Sequence, residues 1–109
     1  MTFDNLAAAL IATGISFREG QWVNAGGLKT DYGVYALDGA MDLGADDHHA
    51  ERLCEGTVDL FTRQGPGRTE AALVEAALES VGVPWRVNSV QVEEDTGYTH
   101  REWVFQCLA

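Results

Sequence analysis

The segment Asp46-Asp47-His48-His49-Ala50-Glu51 holds the densest set of groups able to bind a metal ion or move a proton: two imidazoles among three carboxylates. Imidazole and carboxylate are ordinary ligands of zinc and related ions. The spacing works against one shared ion. On a strand, consecutive side chains leave opposite faces, so His48 and His49 diverge. On a helix, His48 and Glu51 would stand one turn apart, but no second His–carboxylate pair occurs at matching spacing, and His100 is the only other histidine. A solvated segment is expected, with no metal site. Nucleophilic chemistry finds no better support. The three serines, Ser16, Ser80 and Ser89, lie in no Gly-x-Ser-x-Gly elbow, and no cysteine has a local histidine partner. Seventeen Asp and Glu residues make accidental carboxylate pairs inevitable, so such pairs carry no specific signal for acid–base catalysis. Asn24 to Thr30 (NAGGLKT) has paired glycines and Lys29 but lacks the spacer and Gly-Lys-Ser/Thr ending of a phosphate-binding loop. It is read as a plain loop. No catalytic residue, cofactor or metal ligand is assigned.

The remaining reactive and aromatic side chains have two readings each. Cys54 and Cys107 sit in apolar alternating runs and read as two reduced core thiols, with a disulfide or redox pair as the alternative. Trp85, Trp103 and Phe105 are expected to pack beneath helices. Tyr32, Tyr35 and Tyr98, near strand ends, suit interface anchors, since amphipathic aromatics are enriched at protein contacts. Glu93, Glu94 and Asp95 form an acidic tip, either simply solvated or acting as a loop that touches a partner or sets the local field.

Helices and strands must position these groups. Phe3 to Thr13 places Phe3, Leu6, Ala7, Leu10 and Ile11 at helical spacing, and Gly14 follows where a left-handed cap is wanted. Ile15-Ser16-Phe17 reads as a short strand, with Gln21-Trp22-Val23 as a partner across the Arg18-Glu19-Gly20 turn. Tyr32 to Asp38 has a period of two and ends in Asp-Gly, a turn signal; a further strand is expected from near Met41, and a longer one over Ala50 to Arg63. Gln64-Gly65-Pro66-Gly67 ends it. Thr69 to Val81 is an amphipathic helix: Leu73, Ala77 and Val81 form one row, Val74 and Leu78 the next, and Glu70, Glu75 and Glu79 the polar side. Gly82 and Pro84 stop it. The last third reads as a long hairpin. Trp85 and Val87 differ in parity from Val90 and Val92, which a bulge near Asn88-Ser89 reconciles. Glu93 to Gly97 turns the chain, and Trp103, Phe105 and Cys107 alternate on the return. The expected fold is α+β, a mostly antiparallel sheet with two helices on one face, in the order α-β-β-β-α-β-β.

The chain has 109 residues, 46% hydrophobic and 22% charged, which suits a single domain over 1–109 with a real core and rules out global disorder. Its longest apolar stretch, Leu6 to Ala12, is far short of the roughly 20 residues of a bilayer helix. Asp4 and the short Ala-rich run do not make a signal peptide, so a soluble protein of a cell interior is expected. A formal net charge of −10, from 17 acidic and 7 basic residues, repels nucleic acid and anionic membranes.

The tract Ala45-Asp46-Asp47, then Val58-Asp59-Leu60-Phe61-Thr62-Arg63, a polar turn, an acidic amphipathic helix, Gly82-Val83-Pro84-Trp85 and the returning strand Tyr98 to Phe105 resemble the tail-completion, or tail terminator, proteins of long-tailed bacteriophages. The opening helix and Ile15-Ser16-Phe17 also match, so the resemblance covers nearly the whole chain. Phe61 stands where that family usually has tyrosine, and Asn24 to Thr30 is glycine-rich where the family often carries proline. The resemblance implies a structural virion protein and not an enzyme. Its expected partners are copies of itself in a hexameric ring, the tail tube protein and the head-completion or connector protein. DNA is expected to pass through the lumen without specific binding, no membrane is involved, and assembly takes place in the host bacterial cytoplasm. The final hairpin and the Asn24 to Thr30 loop are expected to supply ring contacts. Three other functions remain: a neighbouring neck component; a small α+β enzyme or ligand-binding domain using the open sheet face, which a pocket converging on His100 or His48 would mark; and a regulator that mimics nucleic acid through its acidity, which needs carboxylates spaced like phosphates along one face.

Overall fold

The structure, a computed structural model, describes residues 3–20, 30–42, 52–63 and 65–108. Two helices and five strands follow in the order α1 (Phe3–Ile11), β1 (Ser16–Glu19), β2 (Tyr32–Asp42), β3 (Arg52–Thr62), α2 (Arg68–Val81), β4 (Trp85–Val92) and β5 (Thr99–Leu108). The strands make one sheet, β1-β2-β3-β5-β4, antiparallel except for the parallel β1–β2 pair. This is the α+β class and element order expected from the sequence. Neither helix is long and apolar enough to cross a membrane.

Alternation along the two central strands decides where the core lies. Cys54, Val58 and Leu60 of β3 are buried, and so are Trp103, Phe105 and Cys107 of β5. The register sets Cys54 opposite Cys107, Gly56 opposite Phe105 and Val58 opposite Trp103, so all share one face. Both helices cover that face, α1 with Leu6 and Leu10, α2 with Ala71, Val74, Ala77, Leu78 and Val81. A fully buried Leu or Val side chain contributes about 1.5–3 kcal/mol relative to exposure. At Gly56 an added Cβ would run into the Ala36 carbonyl and the Phe105 ring, so the missing side chain is what admits Phe105. α2 ends as its sequence requires: Gly82 takes a left-handed conformation (φ 73°), its N–H bonds the Glu79 carbonyl, and Pro84 follows.

Four local readings change. β1 finds its partner in β2, and Gln21 to Val23 lie outside the described residues. The pairing works because the Phe17 ring occupies the space that a side chain at Gly33 would need. Asp38-Gly39 is no turn: β2 runs on to Asp42, and the irregularity is a bulge, with Leu37 opposite Gly56 and Gly39 opposite Glu55. An Asp-Gly pair serves either a turn or a bulge, and here the partner strand continues through it. Leu73 does not join the buried row of α2; it is 43% exposed. α1 stops at Ile11, where the Thr13 hydroxyl takes the Leu10 carbonyl (2.6 Å). The expected bulge in β4 is present between Val87 and Ser89, so Val87, Val90 and Val92 meet Trp103, Arg101 and Thr99 on the helix side.

The polar row of α2 has a second use. Trp103, wholly buried, donates its indole N–H to Glu75 Oε2 (3.0 Å), and half-buried Trp85 donates to Glu79 Oε1 (2.9 Å). Glu75 and Glu79 are one helical turn apart, so two neighbouring carboxylates pin α2 across β5 and β4. Glu75→Ala should cost about 1–3 kcal/mol in a urea titration, because it strands the buried Trp103 N–H. Glu75→Gln retains an acceptor and should recover most of that loss. Glu79→Ala, at the exposed bond, should barely move the midpoint.

Candidate functional site

Five of the six expected contact residues gather at one end of the sheet, where β2 begins and β4 turns into β5. The turn from Glu93 to Tyr98 is held by its own hydrogen bonds. Glu93 N–H donates to the Tyr98 carbonyl and Gly97 N–H to the Glu93 carbonyl, both at 2.8 Å. The Thr96 hydroxyl donates to Glu93 Oε1 (3.2 Å) and accepts from Tyr98 N–H (3.2 Å). Glu93 is thus engaged and partly covered, while Glu94 and Asp95 point into solvent on a braced tip.

The tyrosines behave differently from outward-facing anchors. Tyr98 and Tyr32 are 5% and 6% exposed; the Tyr98 hydroxyl donates to the Thr30 carbonyl (3.1 Å), and the two rings meet edge to face at 5.6 Å. Tyr35 lies on the other face, under α1, within 5.6 Å of the Phe3 ring centre. Burial first, then the carboxylates of Glu19 and Asp4, push its hydroxyl above the ordinary tyrosine range. All three are spent inside the fold of their own chain.

Tyr32 also begins an aromatic row on the face without helices. Its ring stacks on Phe61 (centroids 4.6 Å apart, planes at 10°), and Phe61 stacks on His100 (4.2 Å, 19°). The register explains the row, since Tyr32 faces Phe61 on β2–β3 and Phe61 faces His100 on β3–β5. His100 Nε2 is 2.7 Å from Asp59 Oδ1, one diagonal step along β3. The Asp59 hydrogen bond raises the imidazole above its ordinary value; partial burial opposes this, and the charges of Asp59, Glu93 and Glu102 add to the rise. A carboxylate-held imidazole with a partly open edge can carry a proton. Among the described residues no group of three or more His, Cys, Asp or Glu is placed to hold a metal ion. The Asp46 to Glu51 segment lies outside them, as do Asn24 to Lys29.

Two features were not read from the sequence. One is a cleft of about 360 Å³ on the open face, formed by Glu55, Arg86, Val104 and Gln106 with Pro84, Trp85 and Phe105 at its wall. His100 is not among its lining residues. The other is the outer strand β4, whose Val87, Val90 and Val92 are 43%, 49% and 68% exposed. The only sequence signal for it is that Trp85 to Val92 carries one charge, Arg86, in a strongly acidic chain.

The His100–Asp59 pair makes stability depend on pH with a definite sign. The imidazole is raised in the fold, so its contribution is whole below its ordinary value of 6.5 and falls away as pH rises from there through the raised value. Urea midpoints across this window should fall with pH in the native chain, and Asp59→Asn or His100→Gln should flatten that slope. No protein-family model matches the chain, and no curated protein matches it.

Proposed function

We propose that this chain is a structural virion protein, the subunit of a homo-hexameric ring that closes the tail tube of a long-tailed bacteriophage and joins it to the head-completion or connector protein. The reading starts from the ordered resemblance of Val58 to Arg63, Gly82-Val83-Pro84-Trp85 and Tyr98 to Phe105 to tail-completion proteins, segments that fall on β3, the α2–β4 junction and β5. The observation that carries it is strand β4. Among the described residues only one side of β4 is paired, and its valines stand exposed beside a braced acidic tip. A ring is closed by head-to-tail contact between two unlike patches on each subunit. An apolar strand edge makes one such patch, and the unpaired backbone groups of an edge invite another chain. The acidity suits the lumen. DNA slides past carboxylates, whereas each Lys or Arg contact would add a salt-sensitive trap.

A neighbouring neck component would use the same surfaces, and preference for tail tube over head connector separates the two. The alternative from another class, a small α+β enzyme or ligand-binding domain, is favoured by one observation, the cleft beside Arg86 and Gln106.

Light scattering over a wide concentration range, with negative-stain images of the same sample, tests the proposal. A six-subunit open ring, alone or on added tail tubes, is the expected result, and Val90→Lys should weaken it at least tenfold. Reversing charge at Glu94 and Asp95 should leave folding intact and impair DNA passage or joining. A chain that stays monomeric at every concentration and ignores tail tubes would sink the ring reading.

A further inference from the structure

Cys54, near the start of β3, and Cys107, near the end of β5, are direct register partners in an antiparallel pair. Both are free thiols, 3% and 4% exposed, on the helix-covered face. Directly opposed residues of antiparallel strands have Cα atoms about 4.5–5.5 Å apart, inside the roughly 4.4–6.8 Å that a disulfide accepts. Opposed side chains also leave the sheet on the same side. The register therefore places the two thiols side by side on one face, and a bridge calls for a local adjustment of this pair and not for a change of strand register.

We infer that Cys54 and Cys107 are an oxidation site, which a peroxide converts into an intramolecular disulfide stapling β5 to β3. The surroundings choose the oxidant. The Phe105 ring lies against Gly56, the next residue on this face of β3, and Phe3 stacks on Phe105 at 6.4 Å, giving the end of the sheet an apolar cover. Only a small, uncharged oxidant passes such a cover readily. Burial, then the neighbouring Cys54, push the Cys107 thiol up, so the reaction is slow at neutral pH and accelerates as pH rises.

The chemistry balances with the peroxide as sole oxidant. One sulfur, giving up its proton, attacks a peroxide oxygen; the O–O bond breaks, a sulfenic acid forms, and the leaving hydroxide takes a proton to become water. The second sulfur attacks the sulfenic sulfur; the S–O bond breaks, the S–S bond forms, and the departing hydroxide takes the second thiol proton. Two thiols and one peroxide give one disulfide and two waters. Each sulfur loses one electron, and the two peroxide oxygens gain them. The bridge encloses α2 and β4, the part of the chain that bears the exposed valines, and it would restrict the unfolded chain as well as brace the fold. This inference stands apart from the ring reading.

The test treats the unaltered, folded chain with hydrogen peroxide, then alkylates it in denaturant and maps peptides by mass. Both thiols should disappear together, with loss of two hydrogens per chain and a Cys54–Cys107 cross-linked peptide. The rate should not depend on protein concentration, and dithiothreitol should reverse the change. The oxidised chain should melt higher by roughly 10 °C. C54S and C107S should each leave a lone cysteine that is alkylated or trapped as a sulfenic acid, with no bridge. Two thiols surviving in the folded chain, separate oxidation of each to unlinked acids, or bridges only between chains would each overturn the inference. The measurement on the unaltered chain decides alone, so a serine variant that fails to fold leaves the answer intact.

Discussion

A wholly buried indole with a hydrogen-bonding end sets the geometry from which most of this structure follows. Trp103 stands in the middle of β5, with Val58 on one side and Val87 on the other. An aromatic of its size removes some 150–250 Å² from water, roughly 4–6 kcal/mol at 25 cal/mol per Å² before ordering costs are counted. That gain holds only if the indole N–H finds a partner, and Glu75 supplies it. The bond fixes where α2 lies across the sheet, α1 then packs beside α2, and together they leave no buried side-chain polar atom unbonded among the described residues. Two helices of nine and fourteen residues cannot roof five strands completely. The far half of β4, with Val90 and Val92, stays outside the cover as a geometric consequence.

Among the described residues no helix covers the opposite face, which meets water by a different arrangement. It carries an aromatic row from Tyr32 through Phe61 to His100, with Tyr98 edge-on to Tyr32, and flanks it with Asp59 and Glu102. The same end of the molecule is tied down from the helix side. Arg101 donates twice to the Pro66 carbonyl (3.1 and 2.9 Å), and the Thr99 hydroxyl donates to the Gly65 carbonyl (3.0 Å). Arg63 N–H meets Asp31 Oδ1 at 2.8 Å. The turn before α2, the start of β2 and the acidic tip therefore share one braced corner, although they lie far apart in sequence.

Periodicity read the elements well because α2 and the central strands are half-buried, and half-burial writes itself into the sequence as period 3.6 or 2. The parity change between Val87 and Val90 even located the bulge. What periodicity lacks is the partner of each strand. Nothing local says that β1 lies parallel to β2 or that Cys54 faces Cys107, and the aromatic row is likewise invisible until the register is known. Asp38-Gly39 misled because the same dipeptide serves turn and bulge. Leu73 misled because a helix on the edge of a layer buries a narrower stripe than its apolar residues suggest. Residue type and a place near strand ends do not reveal burial, and Tyr32, Tyr35 and Tyr98 all pack within their own chain.

Among the described residues the two edges of the sheet are unequal, and the inequality bears on assembly. β1 has four residues, two of them charged, Arg18 and Glu19, and a short charged edge discourages a further strand. β4 has eight residues, no acid, one bulge and three exposed valines. In a chain of net charge −10, copies repel one another at long range, but at a Debye length of about 8 Å in physiological salt that repulsion fades before it can guard a particular edge. Local devices must do so, and on β4 they amount to the Asn88 bulge and Arg86. A strand left this open is stable in solution only if its bulge and twist are enough, or if another surface covers it. The acidic tip at its end biases which surface fits: one that brings carboxylates alongside Glu94 and Asp95 is disfavoured, and one that meets the valines with apolar atoms is not.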